Sequence, residues 1–357
     1  MQGMFQGLKV LDLSTVLAGP LTGTFLAEGG ARVLKVEPPL GDVTRTWKSH
    51  TENHEGTSAY YESANEGKEV FRVDLKTPQG QHWLKHELEE TDVLIQNMKW
   101  QDLQRMGLMP DVLARDFPRL VHARLVGYEW DAERLAYDVV VQAETGFMAM
   151  NGHPEAPPCR LPVALMDILA SHQLRCAVLS GLWKRAEGFG GCYAEVSLLG
   201  SGLTALANQG TAVLMNHVRP QRMGSQHPHI APYGDLLPTL DGQVVLAVGS
   251  DVQFTHLCEV LGLEELAHDA KFSNNTRRLE HRKELMDVLS KASQSLSRQE
   301  LLKALHQAKV PAGAVFHVDE ALNEPRVQDA YVVGEPGRRK VRTSAFQLTH
   351  LSPQLLP

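Results

Sequence analysis

The feature that most narrows the fold is an alternation that runs through the first third of the chain. Short apolar runs, each the length of one strand, are separated by stretches with helical spacing. Residues 8–13 (LKVLDL) read as a strand, 19–29 as a short helix and 31–37 (ARVLKVE) as a second strand. Residues 71–75 form a further strand candidate. Thr77-Pro78 then opens a helix that runs to about Glu90, with Thr77 as its cap and Pro78 in its first turn. Residues 91–97 return to a strand, 100–106 and 111–116 read as helices, and 119–128 close the series. Strands interleaved with helices require crossover connections, so the sheet is expected to be mainly parallel. No GxGxxG follows the first strand, and no GxxxxGK[ST] is present. The sheet is therefore expected to be Rossmann-like without the sequence marks of an NAD or ATP site.

Further along lie a long helical stretch from about Asp167 to Glu187, a strand at 192–199 and a helix at 202–216. Residues 217–234 are rich in Pro, Gly, His and Arg and read as a linker. Beyond them come a strand at 243–249, helices near 252–261, 282–290 and 297–309, and an extended piece at 312–316. The expected organisation is α/β. A large Rossmann-like domain over 1–216, completed by 325–357, accompanies a smaller α+β domain over 217–324.

Composition limits the function. With 43% hydrophobic and 22% charged residues over 357 positions, the chain can bury a sizeable core. A formal charge of -7 argues against a general nucleic-acid binder. The apolar stretch 161–183 is broken by Asp167, His172, Gln173 and Arg175, so no membrane span is expected there. Residues 1–7 lack the basic start and apolar core of a signal peptide. Cys159, Cys176, Cys192 and Cys258 form no CxxC pair and lie in or beside apolar stretches. Buried free thiols and a reduced, cytoplasmic setting are expected.

Asp167 is the residue that most invites chemistry, because it interrupts the apolar run 161–169 (LPVALMDIL). A carboxylate in such surroundings needs a partner, a helix start or a function. It can cap the helix that follows, and a helix start also favours a carboxylate beside an anionic reaction. His82 and His86 share a helix face, but the HExxH glutamate and a third ligand are missing, so a solvated face is expected and no metal. Ser201 follows a strand without the GxSxG spacing of a nucleophile elbow. Arg45, Lys68, Lys76, Lys99 and Arg105 fall near strand or helix ends and together could line a phosphate site.

A series of ordered blocks then points to a family. They include 10–13 (VLDL) through Ala18-Gly19-Pro20, 33–39 (VLKVEPP), 41–45 (GDVTR), 73–78 (VDLKTP), Gln96-Asn97 through 105–107 (RMG), and Tyr137-Asp138 with Gln142-Ala143 and Gly146. Asp167, 227–234 (HPHIAPYG), 245–249 (VLAVG) and 310–313 (VPAG) complete the series. In these blocks the chain resembles the class III CoA-transferases, which include formyl-CoA transferase, the carnitine and bile-acid CoA-transferases and the related methylacyl-CoA racemases. The resemblance implies an interlocked homodimer, with acyl-CoA and a small carboxylic acid as partners. It implies CoA as a substrate carrier and no permanently bound cofactor. It implies Asp167 as the nucleophile, passing through an aspartyl anhydride and thioester. It assigns Arg45, Lys76 and Arg105 to the CoA phosphates, and Val16, Val73, Asn97, Met98 and Met106 to the adenine and pantetheine arm. Some positions depart from the family. Glu66 and Glu69 stand where many members are basic, and Val126 and Leu135 stand where formyl-CoA transferase has lysines. The racemases carry a histidine where this chain has Tyr137, a poor base at neutral pH, so transfer is favoured over racemisation. A non-catalytic CoA-binding protein is the third reading.

Overall fold

The computed structural model describes residues 3–52, 55–131, 133–335, 337–346 and 348. The chain gathers into two units, one made of Met1–Phe147, Arg160–Arg219 and Arg326–Pro357, the other of Met148–Cys159 and Pro220–Pro325.

The first unit is built on a six-stranded parallel sheet. Its strands are β1 Lys9–Asp12, β2 Arg32–Glu37, β3 Glu69–Arg72, β4 Val93–Gln96, β5 Val121–Val126 and β6 Cys192–Ser197. Their spatial order is β3-β2-β1-β4-β5-β6, every neighbouring pair parallel. The order reverses between β1 and β4, and in such sheets a crevice opens there at the carboxyl ends of the strands. The helices between the strands are α1 Ala18–Glu28, α2 Ala59–Asn65, α3 Pro78–Glu89, α4 Trp100–Met106 and α5 Pro110–Asp116. After β5 come α6 Asp138–Glu144 and the long helix Leu165–Ala186 that leads to β6.

Strand periodicity explains the layering. Val10, Val33, Val93, Ile95, Val121 and Ala123 face Phe25 and Leu26 of α1 and Leu174 and Val178 of the long helix. Leu11, Val36 and Leu94 turn the other way, against Leu84 and Leu88 of α3, Leu103 of α4 and Leu113 of α5. The carboxyl ends of the strands are polar instead: Asp12, Lys35, Glu37, Gln96 and Arg124 are all buried.

Local chemistry sets the element ends. Thr77 caps α3 by accepting from Gly80 N at 3.1 Å, with Pro78 in the first turn. β3 lies earlier than the run 71–75 suggests. Asp74 accepts from Lys76 N at 3.0 Å and starts a turn there, so pairing ends at Arg72. The helix expected at 202–216 is two helices, Leu198–Thr204 and Ala207–Asn216. Ser197 caps the first by accepting from Gly200 N, and Ala207 takes a left-handed φ of 42° at the break. Late in the chain, Lys340 pairs with Glu28 at 2.5 Å and Arg175 Nη1 donates to Thr343 O at 2.7 Å. The expected return of 325–357 concerns partly positions outside the described residues, 349–357 among them.

The second unit has an antiparallel sheet in the order β7 Tyr233–Thr239, β8 Gly242–Ala247, β9 Ala312–Ala314. Leu237, Val244 and Leu246 pack there on Phe254, Leu257, Leu285, Leu289, Leu301 and Leu305 from helices Asp251–Val260, Arg282–Ser293 and Arg298–Gln307. Residues 148–159, expected within the large domain, belong to this unit. Arg222 donates to Ala149 O and His153 O, and Gly224 N donates to Gly152 O, which ties the segment down.

One further expectation, that of buried thiols, changes. Cys258 is buried and Cys192 half-buried, but Cys159 and Cys176 are exposed, so an apolar neighbourhood in sequence is not burial; all four are free. No group of three or more His, Cys, Asp or Glu among the described residues is placed to hold a metal ion. No helix among them is long and apolar enough to cross a membrane.

Candidate active site

The turn after β1 sits where the strand order reverses. Asn97, just after β4, grips it from both sides: Oδ1 accepts from Thr15 N at 3.0 Å and Nδ2 donates to Thr15 O at 3.1 Å. Val16 N donates to Asp42 Oδ2 at 3.3 Å. Val16 is held at φ 73°, a region that β-branched residues rarely occupy, so the surrounding structure imposes the turn. Val73, Met98 and Met106 are half-buried against the cluster that α3, α4 and α5 form with one face of the sheet. A cavity of about 150 Å³ opens between β4 and β5, lined by Asn97, Met98, Lys99, Arg124, Val126 and Leu135 among others.

The cations divide into two kinds. Arg45 is occupied, with Nε and Nη2 on Glu37 at 2.8 Å each and its guanidinium over the Tyr61 ring at 3.8 Å. Lys68, grouped from sequence with the phosphate-site candidates, has a fully buried side chain that pairs with Asp12 at 2.8 Å, so its ammonium belongs to the interior. Burial draws its ammonium down to about 8, against the pull of Asp12. Lys76 is exposed, and Arg105 is exposed with Asp102 3.5 Å away. Arg124, which the sequence reading passed over, is buried at the cavity wall; it donates to Glu195 at 2.8 Å and Met98 O at 3.1 Å. The signal for it was a charge inside the apolar run of β5.

Asp167 lies in the first turn of the long helix. Its preceding residue, Met166, is fully buried with Ala18, Val141 and Ala170, which brings this turn against the start of α1, two residues after Val16. The Asp167 side chain is half-buried, and among the described residues it accepts no hydrogen bond and pairs with no cation. Burial, with the Asp138 charge second, pushes its carboxyl up to about 7. Asp138, at the start of α6, is the group that caps the long helix, accepting from Met166 N at 2.6 Å. Tyr60 of α2 completes the cluster. Its hydroxyl is raised to about 12 by burial and by Asp167, Asp138 and Asp42, and its ring meets Trp47 edge-on at 5.2 Å. Sequence reasoning singled out neither Tyr60 nor Trp47. Tyr137, at the racemase histidine position, is exposed.

Asp167, without a cation partner on the helix against the start of α1, is the candidate site on this doubly wound sheet. The profile described as CoA-transferase family III matches residues 5–352, and the chain belongs to that family. It is an enzyme of the CoA-transferase class. It is 35% identical to the succinate–glutarate CoA-transferase of Agrobacterium fabrum, over 90% of this chain and 82% of that one. It is 31% identical to the human succinyl-CoA:glutarate CoA-transferase, over 98% of this chain and 82% of that one. The crystal structure of a CAIB/BAIF family protein from Brucella suis superposes with a TM-score of 0.89 at 33% identity, covering 98% of this chain and 93% of that one.

Proposed function

We propose that this enzyme moves CoA from succinyl-CoA to a small dicarboxylate, with Asp167 as the covalent relay. The observation that carries the reading is the Asp167 carboxyl, poised near 7 with no hydrogen-bond partner. The two succinate–glutarate relatives support the substrate class.

In this mechanism an Asp167 oxygen attacks the thioester carbonyl. The C–S bond breaks, and succinyl-aspartyl anhydride and CoA thiolate result. The thiolate attacks the Asp167 carbonyl carbon, releasing succinate and leaving an aspartyl-CoA thioester. The acceptor carboxylate attacks that carbonyl in turn, expelling thiolate and forming a second anhydride. Thiolate then attacks the acceptor's carbonyl, which releases the new acyl-CoA and restores the Asp167 carboxylate. Negative charge is conserved on one oxygen or sulfur throughout, and the amino end of the long helix favours that charge. Water must be excluded, because each intermediate hydrolyses.

CoA acts here as a substrate carrier seated on Val16, Val73, Asn97, Met98 and Met106, with its phosphates near Lys76, Arg105 and Arg45. Arg45 must loosen from Glu37 to reach them. The working form is an interlocked homodimer. Its support is the apolar surface of helix Ala207–Asn216, where Leu214 is 82% and Met215 73% exposed. A reduced, cytoplasmic setting accords with the four free thiols.

The test is incubation with succinyl-CoA and glutarate, read by mass spectrometry, with and without hydroxylamine. Glutaryl-CoA should form, and hydroxylamine should convert Asp167 to its hydroxamate when succinyl-CoA is present. Transfer that proceeds with no adduct on Asp167 would remove the covalent step. Because the attacking group must be ionised, kcat/KM should rise with pH through about 7.

A further inference from the structure

We infer that Gln142 is a positioning residue for the nucleophile, holding the segment 161–166 so that Asp167 is presented at a fixed place beside Asp138. The inference rests on the reading of Asp167 as the attacking group.

Gln142 is fully buried on α6, one turn after Asp138. Its Oε1 accepts from Leu161 N at 2.8 Å. Its Nε2 donates to Asp138 Oδ2 at 2.6 Å and lies 3.4 Å from Val163 O and 3.5 Å from Leu161 O. Asp138 Oδ1 in turn accepts from Met166 N at 2.6 Å. Two side chains four residues apart thus grip the approach to the long helix at one end and its first turn at the other. No regular element spans 151–164, so the path of this stretch depends on such bonds. Met166 is fixed on the inward side, with Thr145 Oγ1 3.9 Å from its sulfur. Asp167 follows directly.

The amide at 142 has a chemical reason. It must donate to a carboxylate and accept from a backbone amide at once, which a glutamine does without charge. Asp138 is thereby held on the helix start, near enough for its charge to bear on Asp167. The ionisable groups facing Asp167 are Asp138 from α6 and Tyr60 from α2. When Asp167 is acylated it becomes neutral, and the repulsion from Asp138 disappears. Fixing Asp138 there disfavours the resting anion relative to the acyl enzyme.

The experiment compares Gln142→Met, Gln142→Glu and the wild type. Methionine fills the same volume but neither donates nor accepts as glutamine does. A glutamate beside Asp138 shares a proton with it, because like charges so close do not both ionise, and so restores both bonds. Gln142→Met should lower kcat about tenfold to a hundredfold, the loss expected for a misplaced reacting group, with KM for succinyl-CoA unchanged. Gln142→Glu should stay within about threefold of wild type. A volume-filling role predicts the reverse order and would overturn the inference. The Asp167 carboxyl titration, followed by carbon-13 NMR with labelled aspartate, gives a second readout whether or not any acid pair turns over. Its midpoint should fall in Gln142→Met, as burial and the Asp138 charge both slacken, and an unchanged midpoint would equally overturn the inference. Absence of succinyl transfer in the wild type, together with the midpoint shift, would reject the proposed substrate chemistry while leaving the positioning role standing.

Discussion

Two regions of the first unit bury carboxylates, and they do so in opposite ways. At the carboxyl ends of β1 and β2 each buried acid has a cation: Asp12 meets Lys68 at 2.8 Å, Asp42 meets Lys35 at 3.4 Å and Glu37 meets Arg45 at 2.8 Å. On the long helix Asp167 has an acid, Asp138, for a neighbour. Asp12 and Glu37 are held below the usual carboxylate range, whereas Asp167 is pushed above it. The first arrangement fixes a scaffold; the second leaves a group whose most favourable fate is to lose its charge. A carboxylate that forms an acyl bond does so.

The contrast can be broken at several points. The largest effect is expected at Asp167→Ala, which should lower transfer by at least about a thousandfold, as removal of a covalent nucleophile does; residual turnover above that level would assign the chemistry elsewhere. Lys68→Met should come next, costing about 3–5 kcal/mol in urea unfolding, because Asp12 is left buried without its cation. If that variant kept wild-type stability, the paired region would not be the scaffold described. Asp167→Asn should move stability the other way. A folded pKa of about 7 lies above the unfolded value near 3.8, so wild-type stability is full below the latter and falls as pH rises through the former. The amide escapes that loss and should be more stable than wild type by about 1–3 kcal/mol at pH 8, after allowance for partial exposure, and equal to it near pH 4. Thermal melts at the two pH values decide the point. The smallest effect is expected at Val16→Gly: relief of strain of about 1–2 kcal/mol is offset by glycine's entropy, leaving stability nearly unchanged. KM for the CoA ester should nevertheless rise as the turn loosens.

The fold was legible in the sequence wherever periodicity and local capping agreed. Thr77-Pro78 fixed the start of α3, and the strands β1, β2, β4 and β5 lie within their apolar runs. Legibility failed where a side chain redirected the backbone, as Asp74 does after β3 and Ser197 does before Leu198. Asp167 stood out because it interrupts an apolar run. Asp138 and Gln142 stood only within a matching block, with nothing to join them to Asp167, and Tyr60 did not stand out at all, because these residues come from separate stretches and are ordinary in composition. A basic residue at a strand end likewise does not reveal whether it will meet a ligand or an internal acid, which is why Lys68 and Arg45 read alike with Lys76.

The pairing of Lys340 with Glu28 and of Arg175 with Thr343 has a consequence for how the molecule is made. The unit begun by the amino terminus lacks these bonds until its last stretch has left the ribosome. The interposed unit is fully synthesised once residue 325 has emerged. Nascent chains arrested between those points should carry a finished insert and all six strands of the host sheet, with Glu28 on α1 and Arg175 on the long helix still without these partners.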